Sequence, residues 1–165
     1  MFKELRLSKY KMDEKSSHEL LSNAEYGVLS TIGEDEYCYG IPVNYVFINN
    51  AIYFHCGTKE SHKLDNINNH SKVSFTIVGN TKVLPNKLDT RYESIIVFGQ
   101  AALLNTENNS EKIEALQAIV EKYAPNFIKN GNLCIEKNLE RTNIVKISID
   151  YISGKSSYLE GDIVK

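Results

Sequence analysis

The chain has 165 residues, 42% hydrophobic and 24% charged, with a net charge of −2, which is enough for one domain with a proper core. That charge balance argues against a nucleic-acid-binding surface, and no apolar run approaches the ~20 residues of a membrane span. The three cysteines, Cys38, Cys56 and Cys134, are odd in number and form no C-x-x-C pair, so neither a disulfide framework nor a metal site is expected and a reducing cytoplasm is the natural compartment.

Residues 1–11 are mixed and polar, too polar for a signal peptide, and are expected to form an extended arm rather than a packed element. Asp13 is placed to cap a helix over Glu14–Asn23, with Leu20 and Leu21 turned inward. The β-branched run Tyr26 to Ile32 has strand length, and Gly33-Glu-Asp35 reads as a hairpin turn in which glycine supplies the special backbone angle. A long strand follows from Tyr37 to Ile48. It contains Pro42, which donates no ladder hydrogen bond and so belongs at an edge, a bulge or beside a ligand. Asn49-Asn50 is a two-residue turn, because asparagine tolerates positive φ, and Ala51–Cys56 returns as the partner strand.

Gly57 to Ser61 reads as a loop, and His62–Asn69 as a short helix with Leu64 and Ile67 on one face. Val73–Val78 is a strand, and Gly79 to Arg91, with Pro85 and scattered apolar residues, reads as a loop. Tyr92–Leu104 is a strand with a bulge or corner at Gly99. An amphipathic helix capped by Asn109 or Ser110 runs to Tyr123 and is ended by Pro125. Leu133–Leu139 gives a further helical turn or two, and Thr142–Ile152 alternates in strand rhythm before a polar tail. These patterns predict one domain over residues 1–165, with an arm at 1–11 and a tail at 156–165. It is mainly β, with about six strands joined by hairpins and therefore antiparallel, and with peripheral helices.

The chemistry-bearing residues concentrate between positions 41 and 67. His55, Lys59, His62 and Lys63 lie within nine residues, and Thr58 or Ser61 can stand at the helix N-terminus, where free N–H groups and a partial positive charge favour an anion. The spacing suits a phosphate, but it also suits a solvated surface turn, since no Walker-type or G-x-G-x-x-G loop accompanies it. His55 sits beside Tyr53 and Phe54 on a strand, where a lone histidine is commonly a satisfied rim residue. Glu93 is a polar candidate or simply a water-facing side chain. No histidine–cysteine or H-E-x-x-H arrangement suggests a metal or a nucleophile.

The ordered segments Y-G-V-L-S-T, I-P-V-N-Y, I-Y-F-H-C, H-K-L-D-N-I, V-S-F and R-Y-E-S-I-I-V-F-G-Q-A resemble the pyridoxamine 5'-phosphate oxidase-like superfamily, and within it the nitroimidazole-resistance (Nim-type) flavoproteins. The resemblance implies a six-stranded FMN-binding split β-barrel that works as a homodimer with the flavin at the subunit interface. It implies a flavin lined by Ile41, Pro42, Val43 and Asn44, flanked by Phe54, His55 and Cys56, gripped at its phosphate by His62 and Lys63, and contacted by Glu93 and Ser94. His55 is then the residue nearest the substrate. The implied activity is FMN-dependent reduction of nitroaromatic or similar small electrophiles. The alternative is a non-catalytic module that stores or senses flavin or haem. The chain departs from the Nim pattern by a loop one residue longer before Lys63 and by Ser61 in place of a common glycine. It also lacks the arginine-rich strand and the C-terminal tryptophan of true pyridoxamine 5'-phosphate oxidases, which disfavours oxidation of the vitamin B6 phosphate. Lys155, in Ser-Gly-Lys-Ser, would reach the phosphate or the partner subunit.

Overall fold

The computed structural model describes residues 2–104 and 109–158. The chain runs α1 (Glu14–Asn23), β1 (Gly27–Ile32), β2 (Cys38–Val43), β3 (Val46–Ile48), β4 (Ala51–Gly57), α2 (His62–Asn69), β5 (Lys72–Leu84), β6 (Asp89–Leu103), α3 (Asn109–Tyr123), α4 (Ile128–Asn138) and β7 (Thr142–Ser156). The strands form one antiparallel sheet in the order β2-β1-β5-β6-β7-β4-β3. That sheet curls around a core of Leu21, Leu29, Phe54, Phe75, Ile77, Ile95, Val97 and Ile147, all at most 1% exposed. A second apolar cluster, including Val46, Tyr53, Ala115, Leu116 and Ile144, seats α3 against β3 and β4.

Most sequence-level elements appear where expected. Asp13 accepts from the Ser16 backbone N–H at 2.8 Å and caps α1, and Asn49 and Asn50 take φ of 50° and 56° in the β3–β4 turn. Gly99 is the site of the β6–β7 register shift. A Cβ there would stand 2.3 Å from the Ser148 carbonyl oxygen, so the backbones approach too closely for a side chain.

The differences are instructive. There are seven strands in an unclosed sheet instead of six, because the expected Tyr37 to Ile48 strand breaks at Asn44 and Tyr45. The two halves become the two edges of the sheet. The segment from Gly79 to Arg91, expected as a loop, is a β-hairpin in which Lys82 pairs with Arg91 and Leu84 with Asp89. It projects beyond the core, so both faces are wet and no polar–apolar alternation marks it. In the Gly33 turn the positive φ falls on Glu36, at 63°, and not on the glycine. The arm before Met12 is tied down: Phe2 stacks on Tyr151 at 4.9 Å, and Lys11 bridges to Lys155. The shorter helix expected at Leu133–Leu139 begins earlier, at Ile128, where Gly131 lets α4 pack closely against Val120 of α3.

Register places two transverse rows on the outer face of the sheet. One is Pro42, Val28, Thr76, Ile96 and Ser153; the other is Gly40, Ser30, Ser74, Phe98 and Tyr151. Neither row carries a charge.

Candidate functional site

The N-terminus of α2 gathers the basic residues. Ser61 occupies the N-cap position, and its carbonyl accepts from Leu64 and Asp65, but its side chain makes no capping bond. Its hydroxyl oxygen is buried and has no partner. A buried hydroxyl without a hydrogen bond costs about 1–3 kcal/mol, so its presence at a helix N-terminus calls for an acceptor that the chain itself does not supply. His62 follows, its ring 4.1 Å from that of Tyr39 on β2. Lys63 lies near enough to Cys56 on β4 to counter electrostatically the burial that pushes the Cys56 thiol pKa up. Three elements thus converge: an edge strand, the end of β4 and the start of α2. The donor set, with a hydroxyl, free helix N–H groups, an imidazole and an ammonium, fits a phosphate group.

Strand alternation sorts the remaining candidates. On β4, Phe54 and Cys56 are buried and His55 is exposed. On β2, Ile41 and Val43 pack against the core while Pro42 is exposed. β2 pairs with β1 alone among the described strands, so one backbone edge is open along Ile41–Val43. Being an edge position is sufficient to account for Pro42, and no ligand is needed to explain it. The Asn44 amide donates to the Glu25 carbonyl at 3.0 Å, which leaves its own carbonyl oxygen available.

Glu93 and Ser94 do not join this group within one chain. Ser94 stands opposite Lys155, and Glu93 opposite Ser156. Thr142, at the other end of β7, pairs with Gly57 at the entry to the basic loop. From Thr142 to Lys155 is about 40 Å of strand at the usual rise. Glu93 accepts from the Asn80 amide and faces a separate cleft beside α1, lined also by Leu20, Glu25 and Tyr26. Lys155 donates to the Tyr92 hydroxyl at 2.5 Å, not toward the basic loop.

Two features escaped the sequence reading. Tyr39 alternates with Ile41 and Val43, so its inward side was legible, but its stacking on His62 depends on how α2 folds back. The clamp on the β2–β3 bend was equally hidden. The Tyr123 hydroxyl on α3 accepts from the Tyr45 N–H at 2.9 Å and lies 2.7 Å from the Glu25 carbonyl, to which it can donate. The Lys122 ammonium meanwhile donates to the Tyr45 carbonyl at 3.1 Å. These contacts span 77 to 98 residues of chain, and no local pattern announces them.

Comparison with curated proteins finds no match. Solved structures share the fold. One is a candidate 5-nitroimidazole antibiotic resistance protein from Bacteroides thetaiotaomicron, 19% identical with a TM-score of 0.72 over 88% of this chain and 85% of that one. A FAD-binding protein from Mesorhizobium loti is 14% identical with a TM-score of 0.64 over 90% and 97%. A FAD and haem binding protein from Mycobacterium smegmatis is 15% identical with a TM-score of 0.75 over 94% and 77%. The profile of the family described as pyridoxamine 5'-phosphate oxidase matches residues 13–156, from the cap of α1 to the last residue of β7. The chain therefore belongs to the pyridoxamine 5'-phosphate oxidase family.

Proposed function

We propose that this protein is an FMN-dependent oxidoreductase that reduces nitroaromatic, 5-nitroimidazole-type or similar small electrophiles, and that it works as a homodimer. The observation that carries the reading is the unpartnered, buried Ser61 hydroxyl at the start of α2, beside His62 and Lys63. Family membership and the flavin-binding proteins that share the fold support it.

Bound flavin supplies the hydride chemistry. The chain binds and orients it. Lys63 and His62, with Ser61 and the first N–H groups of α2, hold the phosphate. The open edge of β2 at Ile41, Pro42 and Val43, with the Asn44 carbonyl oxygen, offers hydrogen-bonding groups to the ring, and Phe54 and Cys56 firm the wall behind. His55, exposed on β4, is the side chain placed to hydrogen-bond a substrate oxygen and to deliver a proton to it.

The two uncharged rows on the outer face support the homodimer, because an exposed sheet surface without charges is the kind that a partner covers. It also accounts for Glu93 and Ser94, which reach a basic-loop site only if that site belongs to the second copy. The three cysteines are unpaired, in keeping with a reducing cytoplasm.

The absorption spectrum of the purified protein tests the reading. Two flavin bands are expected, with flavin retention reduced about tenfold in Lys63→Ala, whereas His55→Ala keeps its flavin and loses turnover of a nitro acceptor with reduced nicotinamide. A colourless protein that takes up no FMN would overturn the proposal, and a Soret band would favour a haem-binding module.

A further inference from the structure

The β5–β6 hairpin encloses a shallow cavity of about 470 Å³, apolar along Val83, Leu84, Pro85 and Leu88 and polar at Asp89 and Tyr92. Tyr92 is also the residue to which Lys155 donates, at 2.5 Å. An ammonium has donors only, so the Tyr92 oxygen is the acceptor in that bond and its own hydrogen is directed elsewhere. Among the described residues nothing accepts that hydrogen, and no carboxylate pairs with Lys155.

The pair is held rigidly. The Tyr92 N–H donates to the Ser157 hydroxyl oxygen at 2.6 Å, and the Ser157 N–H returns to the Tyr92 carbonyl at 2.9 Å. Arg91 donates to the Ser157 carbonyl and stands 3.9 Å from Asp89, so the cavity's one carboxylate is already balanced. What remains beside Tyr92 is an ammonium that no carboxylate pairs among the described residues, next to an unassigned phenolic hydrogen and to the apolar hairpin wall.

We propose that the hairpin cavity and the Tyr92–Lys155 pair form a binding site for a small apolar molecule bearing a carboxylate. The apolar body lies along Val83, Leu84 and Leu88. The carboxylate accepts from the Tyr92 hydroxyl and from the Lys155 ammonium, two donor atoms close enough for its two oxygens to meet both at once. Within one chain the site lies at the far end of β7 from the basic loop.

Titration calorimetry with 2-naphthoate, and with 2-naphthamide as the neutral control, tests it on the protein as purified. Naphthoate is expected to bind and naphthamide to bind far more weakly. Tyr92→Phe, which removes one oxygen, and Lys155→Met should each weaken naphthoate about tenfold or more, with melting temperature unchanged. Binding to a colourless preparation would still uphold this site while sinking the flavin reading. Equal affinity for acid and amide, or wild-type affinity in both variants, would overturn it. So would a Leu88→Asp variant that turns a dimer into a monomer while naphthoate fails to bind the wild type, since the occupant would then be a second copy of the chain.

Discussion

Replacing Lys122 with methionine probes the clamp that holds the β2–β3 bend. The Lys122 ammonium donates to the Tyr45 carbonyl at 3.1 Å and lies 4.1 Å from the centre of the Tyr45 ring. No carboxylate pairs with it among the described residues, and burial pulls its pKa down to about 8 from its ordinary value of 10.5. Between those two values the unfolded chain carries a proton that the folded chain has shed, so stability rises with pH across the window. Taken at face value, moving from pH 7 to pH 9.5 adds about 2 kcal/mol. The ring opposes this by attracting the charged form, an effect worth roughly 1 kcal/mol, and water screens an ammonium that is only half-buried, which together leave about 1 kcal/mol or less, or up to 2–4 °C of melting temperature for a chain of this size. Lys122→Met keeps the apolar stem and removes the titration. Melting curves of both proteins at pH 7, 8, 9 and 9.5 should therefore show the wild type gaining on the variant by up to about 3 °C. The series stops short of pH 10, because burial raises the Tyr45 pKa and the unfolded tyrosine begins to ionise there, which lowers stability. Parallel curves across the range would refute the assignment of a buried, unpaired ammonium.

Ser61→Ala removes the unpartnered hydroxyl, so the flavin-free protein should be unchanged or up to about 1 kcal/mol more stable while FMN binds several-fold more weakly; equal flavin affinity by fluorescence quenching would remove Ser61 from the site. Gly99→Ala should lower stability by about 2–4 kcal/mol in urea unfolding, because its Cβ meets backbone 2.3 Å away, whereas Gly57→Ala, with open space around it, should cost little. Glu111 accepts from both Lys146 and Tyr53 at 2.8 Å, and the Lys146 bond, then the Tyr53 bond, hold its carboxyl pKa below the ordinary value of 4.5. A depressed carboxyl stabilises above its unfolded pKa and loses that contribution as pH falls through its folded value. The advantage of wild type over Glu111→Gln, about 1 kcal/mol at pH 6, should therefore vanish toward pH 3, and a constant difference would contradict the pairing.

Local chemistry made much of the framework legible: the Asp13 cap, the Asn49-Asn50 turn, the Gly99 bulge, the His62–Asn69 helix, the β-branched run of β1 and the strand rhythm of β7. Each depends on interactions within a few residues, or on one buried face with period two, and both leave a mark in the residue order. The family could be named from ordered segments for the same reason. Segment order also pointed to the basic stretch between His55 and Lys63, though not to which group would be left wanting a partner there.

Tertiary structure decided the rest. The β5–β6 hairpin was invisible because a ribbon wet on both faces has no alternation to read, and the split of the long strand at Asn44 and Tyr45 is imposed by Tyr123 and Lys122, 78 and 77 residues away. The same holds at the opening of α2. Residue order marked Ser61 as a possible cap, with a side chain that would serve its own helix. Only the folded chain turns that hydroxyl inward without a partner, because the positions of β2 and the end of β4 determine what surrounds it.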